Sequence, residues 1–202
     1  GKMAGFFLNS LIITIPTVIG TLFLSSLAGY SLAMHRFKLN LLVFAMFIAG
    51  NFVPYQILMI PVRNISIELG MYNSHLGLII FHIAFQTGFC TFFLRNFIKE
   101  LPFELIEAAR ADGATEWTIY RKIIIPLTIP ALAALGVLEF TFIWNDYFWA
   151  LILTQGDTVK PITVGLDVLR GQWTTAWNLV SAGSVVAALP PVIMFFILQR
   201  QF

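Results

Sequence analysis

Four polar side chains interrupt long oily runs of this sequence: Asn51 in residues 39–60, Gln86 in 76–94, and Glu139 and Asp146 in 126–153. Such groups can hydrogen-bond a polar ligand or, for the two acids, move protons. An ionisable group at the centre of a bilayer costs about 2.5–3.5 kcal/mol, so each is expected to face a cavity or a partner rather than lipid. With a helical rise of ~1.5 Å per residue, Asn51 lies ~18 Å and Gln86 ~15 Å from one end of its run, and Glu139 ~20 Å in from Pro126, which puts all three near mid-depth. Pro54 breaks the helix beside Asn51, and broken helices at that depth commonly bind cargo. Two readings stay open: these groups line a polar path with Tyr55, Asn145 and Asp146, or they only bond helix to helix. Paired-carboxylate chemistry by Glu139 and Asp146 would make an intramembrane enzyme, a rival from another class. His35, His75 and His82 are too scattered for a metal site, and the single cysteine, Cys90, excludes a disulfide or a Cys-based metal site within the chain. Glu104 and Glu107 sit in a polar stretch that implies no acid–base pocket.

The elements that must position these residues follow from composition. The chain is 58% hydrophobic and 11% charged, against the usual ~45–50% and ~25% of soluble domains, and its mean hydropathy is +0.85. An all-α integral membrane bundle is expected. A net charge of +2 without a Lys/Arg run gives no reason for a nucleic-acid partner. Five runs reach the roughly 20 residues a bilayer demands: 6–34 with Pro16 as a kink, 39–60, 76–94, 126–153 and 179–198. Between them lie residues 62–75, a charged loop at about 95–125 and a polar connection at 154–178. Thr21, Ser25, Gly29 and Ala33 recur every fourth position, as do Gly183/Ala187 and Ser184/Ala188, and such faces let helices approach closely. Trp144, Tyr147, Phe148 and Trp149 read as an aromatic interface belt or as a sugar-stacking surface. Glu139, Ile143 and Asp146 share one helical stripe. If the charged loop is cytoplasmic, that side holds Arg36, Lys38, Arg95, Lys99, Arg110, Arg121, Lys122 and Arg200, and the other Lys2, Arg63, Lys160 and Arg170; eight against four favours that orientation. With no internal repeat, residues 1–202 read as a single domain.

Within the loop, Pro102 suits the first turn of a helix, Glu104 and Glu107 favour its N-terminal end, and Gly113 can take the left-handed conformation that stops it. A helix over residues 103–112 is expected, with a second opening at Ala114 or Thr115. On pattern alone this is an ordinary surface hairpin. Its spacing says more. Glu107-Ala108-Ala109, three residues, Gly113, nine residues, Ile123, one residue and Ile125-Pro126 resembles the EAA-x3-G-x9-I-x-L-P signature of permease subunits of ATP-driven importers, departing only at Ile125, where Leu is usual. The flanks are similar to the sugar-uptake branch, the second permease of maltose-type transporters: Asn9-Ser10, Arg36-Phe37, PYQILMIP at 54–61, DGA at 112–114, WNDYFW at 144–149 and Gln199-Arg200.

That resemblance covers nearly the whole chain and implies six helices and a short tail, of which the first helix and the tail are absent here. It implies that the loop helix docks in a cleft of an ATPase subunit through Glu107, with Ala108 and Ala109 permitting close insertion, Gly113 the sharp exit, and Asp112 ordering it. It also implies a second permease, a paralogue, two ATPase subunits, an external solute-binding protein touched by the connection at 156–173, a carbohydrate cargo held largely by the partner permease, and a prokaryotic inner-membrane location. No GxxxxGK[ST] phosphate loop is present, so ATP and magnesium are expected on another polypeptide and no cofactor on this one. The loop motif is shared beyond the sugar branch, so a non-sugar solute is the alternative.

Overall fold

A computed structural model of the chain describes residues 2–168 and 177–199. Arg170, Trp173 and Arg200, which the charge count and the polar connection include, lie outside them. The described residues form helices and no strand.

Helix α1 (Lys2–Met34) continues through Pro16. Its pattern is inverted relative to a soluble helix: Ser10, Thr14, Thr17, Thr21 and Ser25 are buried, whereas Leu8, Ile12, Ile15, Ile19 and Phe23 are exposed. The apolar solvent outside explains this, because bulky aliphatic groups gain nothing by leaving lipid while small hydroxyl residues let backbones meet. Two of these hydroxyls donate to nearby carbonyls, Thr17 to Ile13 at 2.6 Å and Ser25 to Thr87 at 3.3 Å, whereas Thr21 Oγ1 finds no partner among the described residues. Thr87 belongs to α4 (His75–Lys99), opened by Ser74, whose Oγ accepts from the Gly77 amide at 3.0 Å. The two helices run parallel and nearly touch. A Cβ on Gly29 would stand 3.1 Å from the Arg95 amide nitrogen, so the expected small-residue face is realised along α1.

Between them the chain makes α2 (Asn40–Gly50), a 3-10 turn (Tyr55–Leu58) and α3 (Met59–Glu68), bent by 89° from α2. The single span expected over 39–60 is therefore broken, because Pro54 has no amide hydrogen for the helical ladder. Beyond the charged loop, a π-helical turn (Tyr120–Ile124) leads into α7 (Ile125–Trp144), antiparallel to α1. The span expected to reach Leu153 stops at Trp144; after Asn145 and Asp146 a new helix, α8 (Phe148–Leu153), begins. Asp146 thus lies beyond the helix that carries the stripe, yet it lines one small cavity with Ile143 and His82, and Glu139 and Ile143 are both buried. The polar connection contains α9 (Ile162–Val168), and α10 (Trp177–Leu198) carries Pro190 and Pro191.

Among the described residues, four helices are long and apolar enough to cross a membrane, five if the bent pair is one span. Two cores form between them. One joins Phe6, Ile13, Phe140, Trp144 and Trp149 at the end remote from the charged loop, and the other joins Tyr30, Leu94, Ile106, Ile119, Tyr120 and Ile124 at the loop end. The aromatic belt expected at Trp144 and Trp149 is corrected, since both are core residues at 1% and 4% exposure. Trp144 Nε1 donates to the Ala187 carbonyl at 2.8 Å, anchoring α10. Ala187 and Gly183 are half-buried there, whereas Ser184 and Ala188 face away from the bundle.

Candidate functional site

The loop folds as two short helices. Helix α5 (Phe103–Ala111) follows Pro102, carries Glu104 in its first turn, and pins itself by Ile106, 1% exposed, and half-buried Ala109. Its end is stopped by Gly113 at φ 79°: the Gly113 amide donates to the Arg110 carbonyl and the Ala114 amide to the Ala109 carbonyl, each at 3.0 Å. This double closure of the last turn needs a left-handed residue at that position. Asp112 contributes backbone geometry, and it stays exposed. Thr115 caps α6 (Glu116–Ile119), its Oγ1 accepting from the Thr118 amide at 3.3 Å. With Ile106 and Ala109 turned inward, Glu107 and Ala108 face outward, among the exposed apolar groups Phe103 and Leu105.

A polar cluster behind this helix was not legible in the sequence. Arg110 of α5 donates from Nε to Glu116 Oε1 at 2.9 Å and from Nη2 to Oε2 at 3.3 Å. Hydrogen bonding to that carboxylate holds the guanidinium further above its usual range. Glu116 also accepts from the Tyr30 hydroxyl and lies 3.3 Å from His35 Nε2. The signal was an acid and a base six residues apart, which no single helix would bring together; the Gly113 turn does.

The six residues expected along a polar path do not gather in one place. Asn51 sits at the break after α2, exposed, its Nδ2 donating to the Phe47 carbonyl at 3.0 Å. It faces Gly88 on α4, where an added Cβ would be 3.4 Å from Asn51 Nδ2, one half-turn from half-buried Gln86. Glu139 is fully enclosed at 0% exposure; Cys90 Sγ donates to its Oε1 at 3.1 Å, and Oε2 has no partner among the described residues. Tyr55, Asn145 and Asp146 gather around α8: the Tyr55 ring lies 5.3 Å from that of Phe148, Asn145 donates to the Thr141 carbonyl at 2.8 Å, and Asp146 accepts from the Trp149 and Ala150 amides at 3.2 and 2.9 Å. Asp146 thereby opens α8. It also lies 3.4 Å from Nε2 of His82, a buried residue that the sequence set aside.

At this same end Asn9 donates to the Thr158 and Lys160 carbonyls at 2.9 and 3.0 Å, and His75 Nε2 lies 2.9 Å from its Oδ1. Ser10 Oγ accepts from the Ile162 amide at 2.8 Å. The Asn9-Ser10 pair therefore fastens the polar connection to α1. Lys2 approaches Asp157 at 3.0 Å and holds that carboxyl below its usual range.

Comparisons with known proteins agree with this architecture. A probable ABC transporter permease protein of Pyrococcus horikoshii is 40% identical over 86% of this chain and 63% of its own length. The lactose transport system permease protein of Rhizobium radiobacter is 36% identical over 97% of this chain and 71% of its own. The arabinooligosaccharides transport system permease protein of Bacillus subtilis is 33% identical over 97% and 69%. The chain spans about two thirds of the length of these relatives. In fold it matches a chain of a bacterial ABC transporter involved in the import of the acidic polysaccharide alginate, with a TM-score of 0.84 at 23% identity over 100% of this chain and 75% of that one. The signature loop and every helix after α1 lie inside residues 22–202, and over those residues the chain belongs to the family of binding-protein-dependent transport system inner membrane components.

Proposed function

We propose that the chain is a membrane permease subunit of an ATP-binding-cassette importer, conducting a carbohydrate delivered by an external solute-binding protein. ATP hydrolysis on separate ATPase subunits drives it through α5. The observation that carries this reading is α5 itself: the signature glutamate and alanine, Glu107 and Ala108, project away from the bundle on a helix anchored by Ile106. Such a helix can insert into a cleft of a partner.

The magnitudes are adequate. Moving an access equilibrium from mostly one state to mostly the other takes about 5.5 kcal/mol. One charge-assisted hydrogen bond contributes ~1.5–3 kcal/mol, and two permeases, this chain and a paralogue, would each supply a docking helix with its apolar contacts. ATP and magnesium belong to the partner subunits. The loop end is cytoplasmic in this reading, and the end held by Asn9, Ser10 and Asp146 meets the binding protein.

Relatives named for lactose and arabinooligosaccharide transport support a sugar cargo. A non-sugar cargo is the second reading, favoured by the sn-glycerol-3-phosphate permease of Salmonella typhi at 34% identity over 96% of this chain and 69% of its own length. The assembled complex decides between them: binding-protein-dependent ATPase stimulation is measured across sugars and sugar phosphates. Stimulation by an oligosaccharide supports the first reading, and stimulation by a phosphorylated polyol alone overturns it. Within that complex, Glu107→Lys should abolish import while the chain still inserts; import at the wild-type rate would remove α5 as the link.

A further inference from the structure

We propose that Glu116 is a positioning residue of the coupling device: its carboxylate fastens α5 to the loop end of α1, so that displacement of α5 reaches α1 as well as α7. This rests on the docking reading above. Chain connectivity gives α5 two routes into the bundle, back through Glu100 to Pro102 into α4 and on through α6 and the π-helical turn to α7. Side chains build a third, directly to α1.

Glu116 takes Arg110 of α5 on both oxygens, at 2.9 and 3.3 Å, and on Oε2 also takes the hydroxyl of Tyr30, with His35 Nε2 at 3.3 Å. Tyr30 and His35 stand at the last turn of α1 and just beyond it. An exposed ion pair alone does little. Tyr30, however, is 6% exposed, so although Glu116 itself is exposed the hydroxyl meets a charged acceptor at the edge of the core, and losing that partner costs more than losing a fully solvated pair. The Tyr120 hydroxyl, 2.6 Å from Ser26 Oγ, ties α1 to the π-helical turn on the route to α7 and leaves the tie to α5 to Glu116. What reaches α1 also reaches α4. Leu94 Cβ would lie 3.2 Å from a Cβ on Gly29, and Ser25 donates to the Thr87 carbonyl, so α1 is packed closely against α4.

The experiment uses the assembled complex in proteoliposomes and reads cargo imported per ATP hydrolysed. Glu116→Ala and Tyr30→Phe should each lower that ratio about tenfold, the equilibrium factor of one charge-assisted hydrogen bond, while hydrolysis continues. The double variant should be no lower than either single one, because both remove the same link. Glu116→Gln keeps one acceptor oxygen but no charge, and should give a ratio between those of the wild type and Glu116→Ala. A cysteine placed by Ala111→Cys, on exposed α5, should cross-link to the ATPase subunit in every variant. An unchanged ratio in both single variants with the cross-link intact overturns the fastening and leaves docking standing; additive losses, or a Gln variant as low as Ala, overturn it too. No cross-link in the otherwise wild-type chain overturns docking itself. Should Glu116→Ala fail to insert, Tyr30→Phe alone carries the test.

Discussion

Glu139 is the buried carboxyl that its surroundings serve poorly, with one oxygen against Cys90 and the other without a partner among the described residues. An unpaired buried acceptor costs about 1–3 kcal/mol, so stability alone does not account for a carboxyl here. Glu139→Met, similar in volume, should leave the detergent melting temperature unchanged or raised while lowering import; a fall of several degrees would make Glu139 a structural residue. Gly113 presents the opposite case, a residue whose role is its backbone. At φ 79° a β-branched side chain is strained, by about 1–2 kcal/mol for the left-handed conformation. Gly113→Val should therefore loosen the turn and reduce import, with a far smaller change in bundle melting. Gly113 was legible in the sequence because glycine alone takes that conformation cheaply, and the spacing of Glu107 to Ile125 marked its loop. The cluster of Tyr30, His35, Arg110 and Glu116 was not legible, since its members come from three segments and meet only after the turn has formed.

At the scale of elements, apolar runs found the spans but not their breaks. The run through residues 126–153 stays oily across Asn145 and Asp146, and hydropathy carries no mark of where one helix yields to the next. The break is a capping event, made by Asp146 accepting two amides of α8. Asp146→Ala should cost about 1 kcal/mol, as cap removals do, and show as a lower melting temperature even if import survives. Pro54 did announce the interruption of α2, though not its 89° bend. The fit of α1 to α4 was readable in outline from the four-residue repeat of small side chains. Gly29→Leu tests it: with the Arg95 backbone 3.1 Å from the would-be Cβ, overpacking should destabilise the pair by about 1–3 kcal/mol, seen as a lower melting temperature. A neutral result would mean that α1 and α4 separate at little cost.

For the whole molecule, the proposed orientation rests on the distribution of cations. Arg36, Arg95, Arg110 and Arg121 fall at the end that holds α5, and Lys2 and Lys160 near Asp157 at the other. A cysteine introduced by Glu104→Cys should react with an impermeant thiol reagent in inside-out vesicles and be protected in right-side-out ones; the reverse pattern would invert the proposed topology. Much of the bundle's outer surface is aliphatic, and α10 exposes Val185, Leu189, Val192 and Phe196 along its length, a surface suited to lipid or to another subunit.

The chain's one sulfhydryl, that of Cys90, is wholly enclosed beside Glu139 where α4 meets α7. The wild-type protein therefore carries its own gauge of opening. Alkylation at this position has to wait for α4 and α7 to part, so its rate during turnover, compared with that at rest, times how often a seam in the bundle admits water.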